Sequence, residues 1–189
     1  GGGIWLNTGT NKIYDNVVKD NVAENGGGMY IYWNGRLVNN VVVGNVANQS
    51  YGGVFIDGDY TVYNNVIAYN KATHTGGMTC GMGVTQNTIA NNTFYANEMN
   101  SMQSNNGAGL TVRDTAKVVN NIFWKNKFSS SEAVLGADFA GAATFKHNAL
   151  QLPASSYTSL GSGLYDLGVN ASGNLFGVDP GFADVINIA

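Results

Sequence analysis

Asp57 and Asp59, one residue apart around Gly58, form the closest acidic pair in the chain. A general acid working with a general base, or a pair of ligands for calcium, requires carboxylates this near. Arg113-Asp114 stands at the matching place two repeats later. A β-elimination lyase needs a base such as Arg or Lys and a charge neutraliser, often calcium. Asp57, Asp59, Arg113 and Asp114 are therefore the catalytic candidates. The acidic content is thin for a calcium-dependent lyase, and two carboxylates in a Gly turn serve equally well as solvated turn residues. No other cofactor is expected.

A second constellation is aromatic. The pattern Gly-Gly-apolar-x-apolar recurs at Gly2–Leu6, Gly27–Ile31, Gly52–Ile56 and Gly76–Cys80, with a looser copy at Ala108–Val112. Alternation with period two marks short strands with one buried face. With Ile4/Leu6, Met29/Ile31, Val54/Ile56, Met78/Cys80 and Leu110/Val112 inward, the outward column is Trp5, Tyr30, Phe55, Thr79 and Thr111. The next outward column is Asn7, Tyr32, Asp57, Gly81 and Arg113, with Trp33 and Asn34 at a strand end. Flat rings beside polar groups suit sugar rings, whose C–H faces stack while hydroxyls bond at the edge. Trp5, Tyr30, Tyr32, Trp33, Phe55 and Asp57 are thus the ligand-binding candidates. Rings in such a column equally serve to cover the sheet under a loop, a neighbouring domain or another subunit.

Other reactive side chains stand apart. His74 and His147 lie in different repeats with no partner at metal-ligand spacing, and His74 reads as an exposed turn residue. Cys80 is the single cysteine and falls on an inward column, so it reads as an inert core thiol and no disulfide is expected.

These residues must be positioned by a repeat. An Asn follows a short apolar run at Asn16, Asn40, Asn65, Asn92, Asn121 and Asn148, with spacings of 24, 25, 27, 29 and 27. Five residues after the first five stand Asn21, Asn45, Asn70, Asn97 and Asn126. Aliphatic residues lead into the first Asn column at Ile13, Leu37, Val62, Ile89 and Val118. Apolar residues follow it at Val18, Val42, Ile67, Phe94 and Phe123. Four columns in register over five copies indicate a solenoid, and the absence of a Leu ladder or a 3.6-residue period excludes leucine-rich and helical repeats. The pattern predicts an all-β fold: a right-handed parallel β-helix of about six coils over 1–149. An irregular terminal coil or cap within the same domain is expected over 150–189. The Asn columns are expected to stack as amide ladders. The glycines before each strand are read as turn residues with positive φ. Longer repeats place loops at Asn100–Asn106 and Phe128–Glu132.

Composition agrees. Only 11% of residues are charged and the net charge is −3, which excludes the basic footprint that nucleic acid binding needs. No apolar run reaches the roughly 20 residues of a membrane-spanning helix, and no signal peptide is visible in this segment. Oligomeric state is not legible.

The runs Val119-Asn120-Asn121-Ile122-Phe123-Trp124-Lys125-Asn126, His147–Gln151 and Gly173–Phe182, the last containing Val178-Asp179-Pro180-Gly181-Phe182, occur in a telling order. They resemble the last coils of bacterial β-helix proteins of the pectate-lyase-like superfamily, and more narrowly surface proteins with a choice-of-anchor Q domain. The Gly-Gly repeats are similar to those of polymorphic outer-membrane and adhesin-type passenger domains. The resemblance implies secretion or display on a bacterial outer surface, and it supplies no catalytic residue. The expected function is a non-catalytic surface module that binds a polysaccharide or other glycan, or acts in adhesion. The alternatives are a polysaccharide lyase or glycoside hydrolase, and a structural spacer without ligand.

Overall fold

A computed structural model describes residues 1–81, 87–100, 106–129, 139–151 and 173–181. The expected loops at 101–105 and 130–132, and most of the expected cap region, lie outside them.

The described residues form strands and corners with no helix. The first coil holds β1 (Ile4–Leu6), β2 (Asn11–Tyr14), β3 (Val17–Lys19) and β4 (Val22–Asn25). The second holds β5 (Met29–Tyr32), β6 (Gly35–Val38), β7 (Val41–Val43) and β8 (Val46–Ser50). The third holds β9 (Val54–Asp57), β10 (Tyr60–Tyr63), β11 (Val66–Ala68) and β12 (Lys71–Ala72). The fourth holds β13 (Met78–Cys80), β14 (Asn87–Ala90), β15 (Thr93–Tyr95) and β16 (Glu98–Met99). In the fifth, the first two strands merge into β17 (Leu110–Val119), followed by β18 (Ile122–Trp124) and β19 (Lys127–Phe128). Above it lie β20 (Phe139–Lys146), β21 (Ala149–Leu150) and β22 (Leu175–Phe176).

Every strand pairs in parallel with its counterpart one coil away: Ile13 on Leu37, Leu37 on Val62, Val42 on Ile67, Ile67 on Phe94. The chain is a parallel β-solenoid, as the repeat predicts, with four strands in each of the first four coils. The inward columns are sealed. Met29, Ile31, Val54, Ile56, Met78, Cys80 and Leu110 are fully buried, as are Leu37, Val62, Ile89 and Val118 on the second strand. Along the third strand the inward column widens from Val18 to Phe94 and Phe123, whose rings stack 4.8 Å apart and nearly parallel.

The corners explain the Asn columns. The residue before each Asn takes the left-handed conformation: Asp15, Asn39, Asn64, Asn91, Asn120 and His147 at one corner, and Asp20, Gly44, Tyr69, Ala96 and Lys125 at the next. Asn, Asp and Gly tolerate this region most readily. The Asn that follows turns its amide inward. The Oδ1 of Asn65 accepts the backbone N–H of Asn40 at 2.8 Å and its Nδ2 at 3.1 Å, and Asn65 repeats the same two bonds to Asn92. The ladder runs unbroken from Asn16 to Asn148 and on to Asn174. A second ladder runs from Asn21 through Asn45, Asn70 and Asn97 to Asn126.

The paired glycines have a different reason from the turn conformation expected of them. Positive φ falls on Gly26, ahead of the pair, and not on Gly27, Gly28, Gly52 or Gly53. A Cβ at Gly53 would sit 2.5 Å from the Gly77 carbonyl oxygen and 2.9 Å from Asn70 Nδ2, so the site excludes any side chain. Close approach of one coil and its amide ladder to the next fixes these residues as glycine.

Candidate functional site

The outward column over β1, β5 and β9 is built in the expected register, Trp5 on Tyr30 on Phe55, with Tyr32 on Asp57 beside it. Exposure along it is graded. Trp5 is 57% exposed and Trp33 59%, Tyr30 and Tyr32 are half-buried, and Phe55 is only 7% exposed. Thr79 and Thr111 above them are buried. The reading of Phe55 as a presented ring is therefore corrected. Tyr51 folds back from its corner, where φ is +68°, and stacks on Phe55 at 4.3 Å between ring centres. Tyr30 also lies against Phe55, at 4.6 Å, and 6.2 Å from Tyr51. Sequence reasoning passed over Tyr51 because it lies outside the alternating strand, at the corner just before a Gly-Gly pair. The signal was present in the column Gly26, Tyr51, Thr75.

Tyr30 and Tyr32 lie 5.4 Å apart, and the Tyr32 hydroxyl donates to that of Tyr30 at 3.3 Å. Burial pushes the Tyr30 phenol well above its ordinary value, and the contact with Tyr32 adds to the shift. Tyr30 is thus a neutral ring across the working range of pH. Trp33 is held outward at φ +69°, its backbone N–H on the Asp57 carbonyl and its indole N–H on the Asn7 carbonyl, both at 2.9 Å. A cleft of about 320 Å³ opens between Trp5 and Tyr30, walled by Gly1, Ala23, Glu24 and Asn25. It offers two aromatic rings, a carboxylate and an amide.

The catalytic candidates are less concentrated. The Asp57 carboxylate lies over Gly81, where an added Cβ would stand 2.6 Å from its Oδ1. Asp59 belongs to a turn, its backbone N–H bonded to Asn34 Oδ1 at 2.9 Å. Cys80 sits over Ile56 and Val112 over Cys80, so Arg113 starts two rungs from Asp57, on the order of 10 Å away. Arg113 is exposed, and Asp114 continues β17. Among the described residues, no three His, Cys, Asp or Glu side chains converge as a metal site would require.

His74 is half-buried, and its Nδ1 lies 2.9 Å from Ser50 Oγ, so the expectation of an exposed turn residue is corrected. His147 occupies an exposed corner, with its ring against Gly173. Cys80 is sealed in the core, where burial raises its thiol to about 12. No helix among the described residues is long and apolar enough to cross a membrane.

Fold and corners define the class: a parallel β-solenoid stapled by asparagine ladders. No protein-family model, no curated protein and no solved structure matches the chain.

Proposed function

We propose that this solenoid is a non-catalytic module of the pectate-lyase-like kind, displayed at a bacterial surface, that binds a glycan through the aromatic side of its first two coils. The observation that carries the reading is the exposed Trp5 ring one rung from Tyr30, over a cleft that also offers Glu24 and Asn25. An exposed tryptophan with a half-buried tyrosine on the next rung, beside polar groups, is the kind of surface that interaction sites use. Sugars fit it because C–H faces stack on rings while hydroxyls bond to carboxylate and amide. Trp33, fixed by two hydrogen bonds just past the end of β5, offers a further exposed ring.

The test is retention on a broad glycan array, paired with assays for unsaturated and reducing-end products. Trp5→Ala should remove one stacking contact of about 1 kcal/mol and weaken binding several-fold. Asp57→Asn should keep most of the binding. Retention by no glycan would leave the spacer reading. Unsaturated product that disappears in Asp57→Asn would establish a lyase in its place.

A further inference from the structure

A second cleft, of about 520 Å³, lies on the outer face of β2, β6 and β10, away from the Trp5 cleft. Its construction follows from the register. Tyr14, Val38 and Tyr63 form one outward column, and Lys12, Arg36 and Thr61 form the next. Val38, the small member of its column, leaves a floor between two tyrosine rings two rungs apart, roughly 10 Å. The corner residues Asp15 and Asn39, both left-handed, close the third side.

The polar groups around this floor are uncommitted. Among the described residues, the side chains of Asp15, Arg36, Asn39 and Thr61 make no hydrogen bond or ion pair. Yet Asp15 and Arg36 line the same cleft with opposite charge. A carboxylate that accepts, a guanidinium that donates, an amide and a hydroxyl that do both, and two ring faces are what a polyhydroxylated ring requires. Adjacent hydroxyls can donate to Asp15 and accept from Arg36 while the C–H face lies on Tyr14 or Tyr63. Arg36 and the neighbouring Lys12 favour an anion, but the Asp15 carboxylate in the same wall opposes one.

We propose that this cleft is a second saccharide site, taking a neutral hexose unit with adjacent free hydroxyls between Tyr14 and Tyr63. Affinity electrophoresis tests it, with gels containing soluble β-glucan, galactomannan or glucomannan, and dextran sulfate as the anionic arm. The variants are made in a Trp5→Ala chain, in which the first cleft is weakened several-fold, so that the loss on Arg36→Gln reads the second cleft. That chain should still be retarded by at least one neutral polysaccharide. Arg36→Gln, an exposed change that leaves the core untouched, should weaken the retardation about tenfold, as expected for a charge-assisted hydrogen bond. Tyr63→Ala should weaken it as well, with thermal unfolding checked alongside. If the Trp5→Ala chain runs unretarded in all neutral gels, or if Arg36→Gln changes nothing, the second site is refuted. Retardation by dextran sulfate alone would refute it too, marking Lys12 and Arg36 as a general anion patch. A chain with Trp5 intact that loses binding in Trp5→Ala but not in Arg36→Gln would uphold the first cleft and sink this one.

Discussion

Asn65→Ala probes the solenoid where its construction is most specific. Asn65 is buried, and its Nδ2 donates to the carbonyls of Leu37 at 2.8 Å and Tyr63 at 2.9 Å and to Asn92 Oδ1 at 2.9 Å. Its Oδ1 accepts from the Asn40 backbone N–H, for which it is the partner, and from Asn40 Nδ2. Truncation to Ala therefore strands the buried Asn40 N–H outright and removes a donor from the Leu37 carbonyl. A buried group left unpaired costs about 1–3 kcal/mol, and the stranded Asn40 N–H sets the loss in that range, since the Leu37 carbonyl still faces the next strand in the sheet. Asn16→Ala is the control: Asn16 is exposed at the ladder end, and Asn40 Oδ1 keeps the Asn16 backbone N–H when the side chain is lost. That change should cost less than about 1 kcal/mol. Urea unfolding followed by circular dichroism gives both values. Because repeat arrays open section by section, hydrogen exchange at Asn40 should be read alongside. In Asn65→Ala the protection of the Asn40 amide should collapse. Equal losses in the two variants, within about 0.5 kcal/mol, would refute the claim that the ladder holds the coils together.

Gly53→Ala should destabilise strongly, by about 2 kcal/mol or more, because the added methyl meets backbone oxygen, which cannot swing aside. The melting temperature checks this, and Gly9→Ala, in open space but at φ +72°, should cost only the backbone strain of about 1 kcal/mol. Stability should fall at alkaline pH. Burial raises the folded-state values of Cys80, Tyr30 and Tyr60 above those of the unfolded chain, so the unfolded state alone ionises first. The stabilisation is complete below about pH 9, where the unfolded thiol is still protonated, and for Cys80 it is lost progressively up to about 12. Cys80→Ala should flatten that part of the curve of unfolding midpoint against pH, and an unchanged slope would count against the assignment.

Much of this architecture is written in the chain because a parallel solenoid converts vertical stacking into sequence period. Each residue sits on its counterpart one coil away, so Asn40 on Asn65 and Val42 on Ile67 appear as columns before any coordinates exist. Alternation then separates inward from outward residues, since successive side chains in a strand point to opposite faces. Tertiary structure alone decided the rest. Phe55 is outward by alternation yet buried, because Tyr51 swings over it from a corner that has no period-two pattern. The glycine pairs read as turns, but their cause is the distance to the carbonyl of the next coil. Ser50 and His74, 24 residues apart, meet because they occupy successive coils at one corner, and neither belongs to a repeated column. Likewise, the cleft over Val38 depends on which outward neighbours are large and which are small. Stacking in register is a one-dimensional constraint that sequence spacing carries. Exposure on the outer faces depends on side-chain size and corner geometry in the two remaining dimensions, which spacing does not encode.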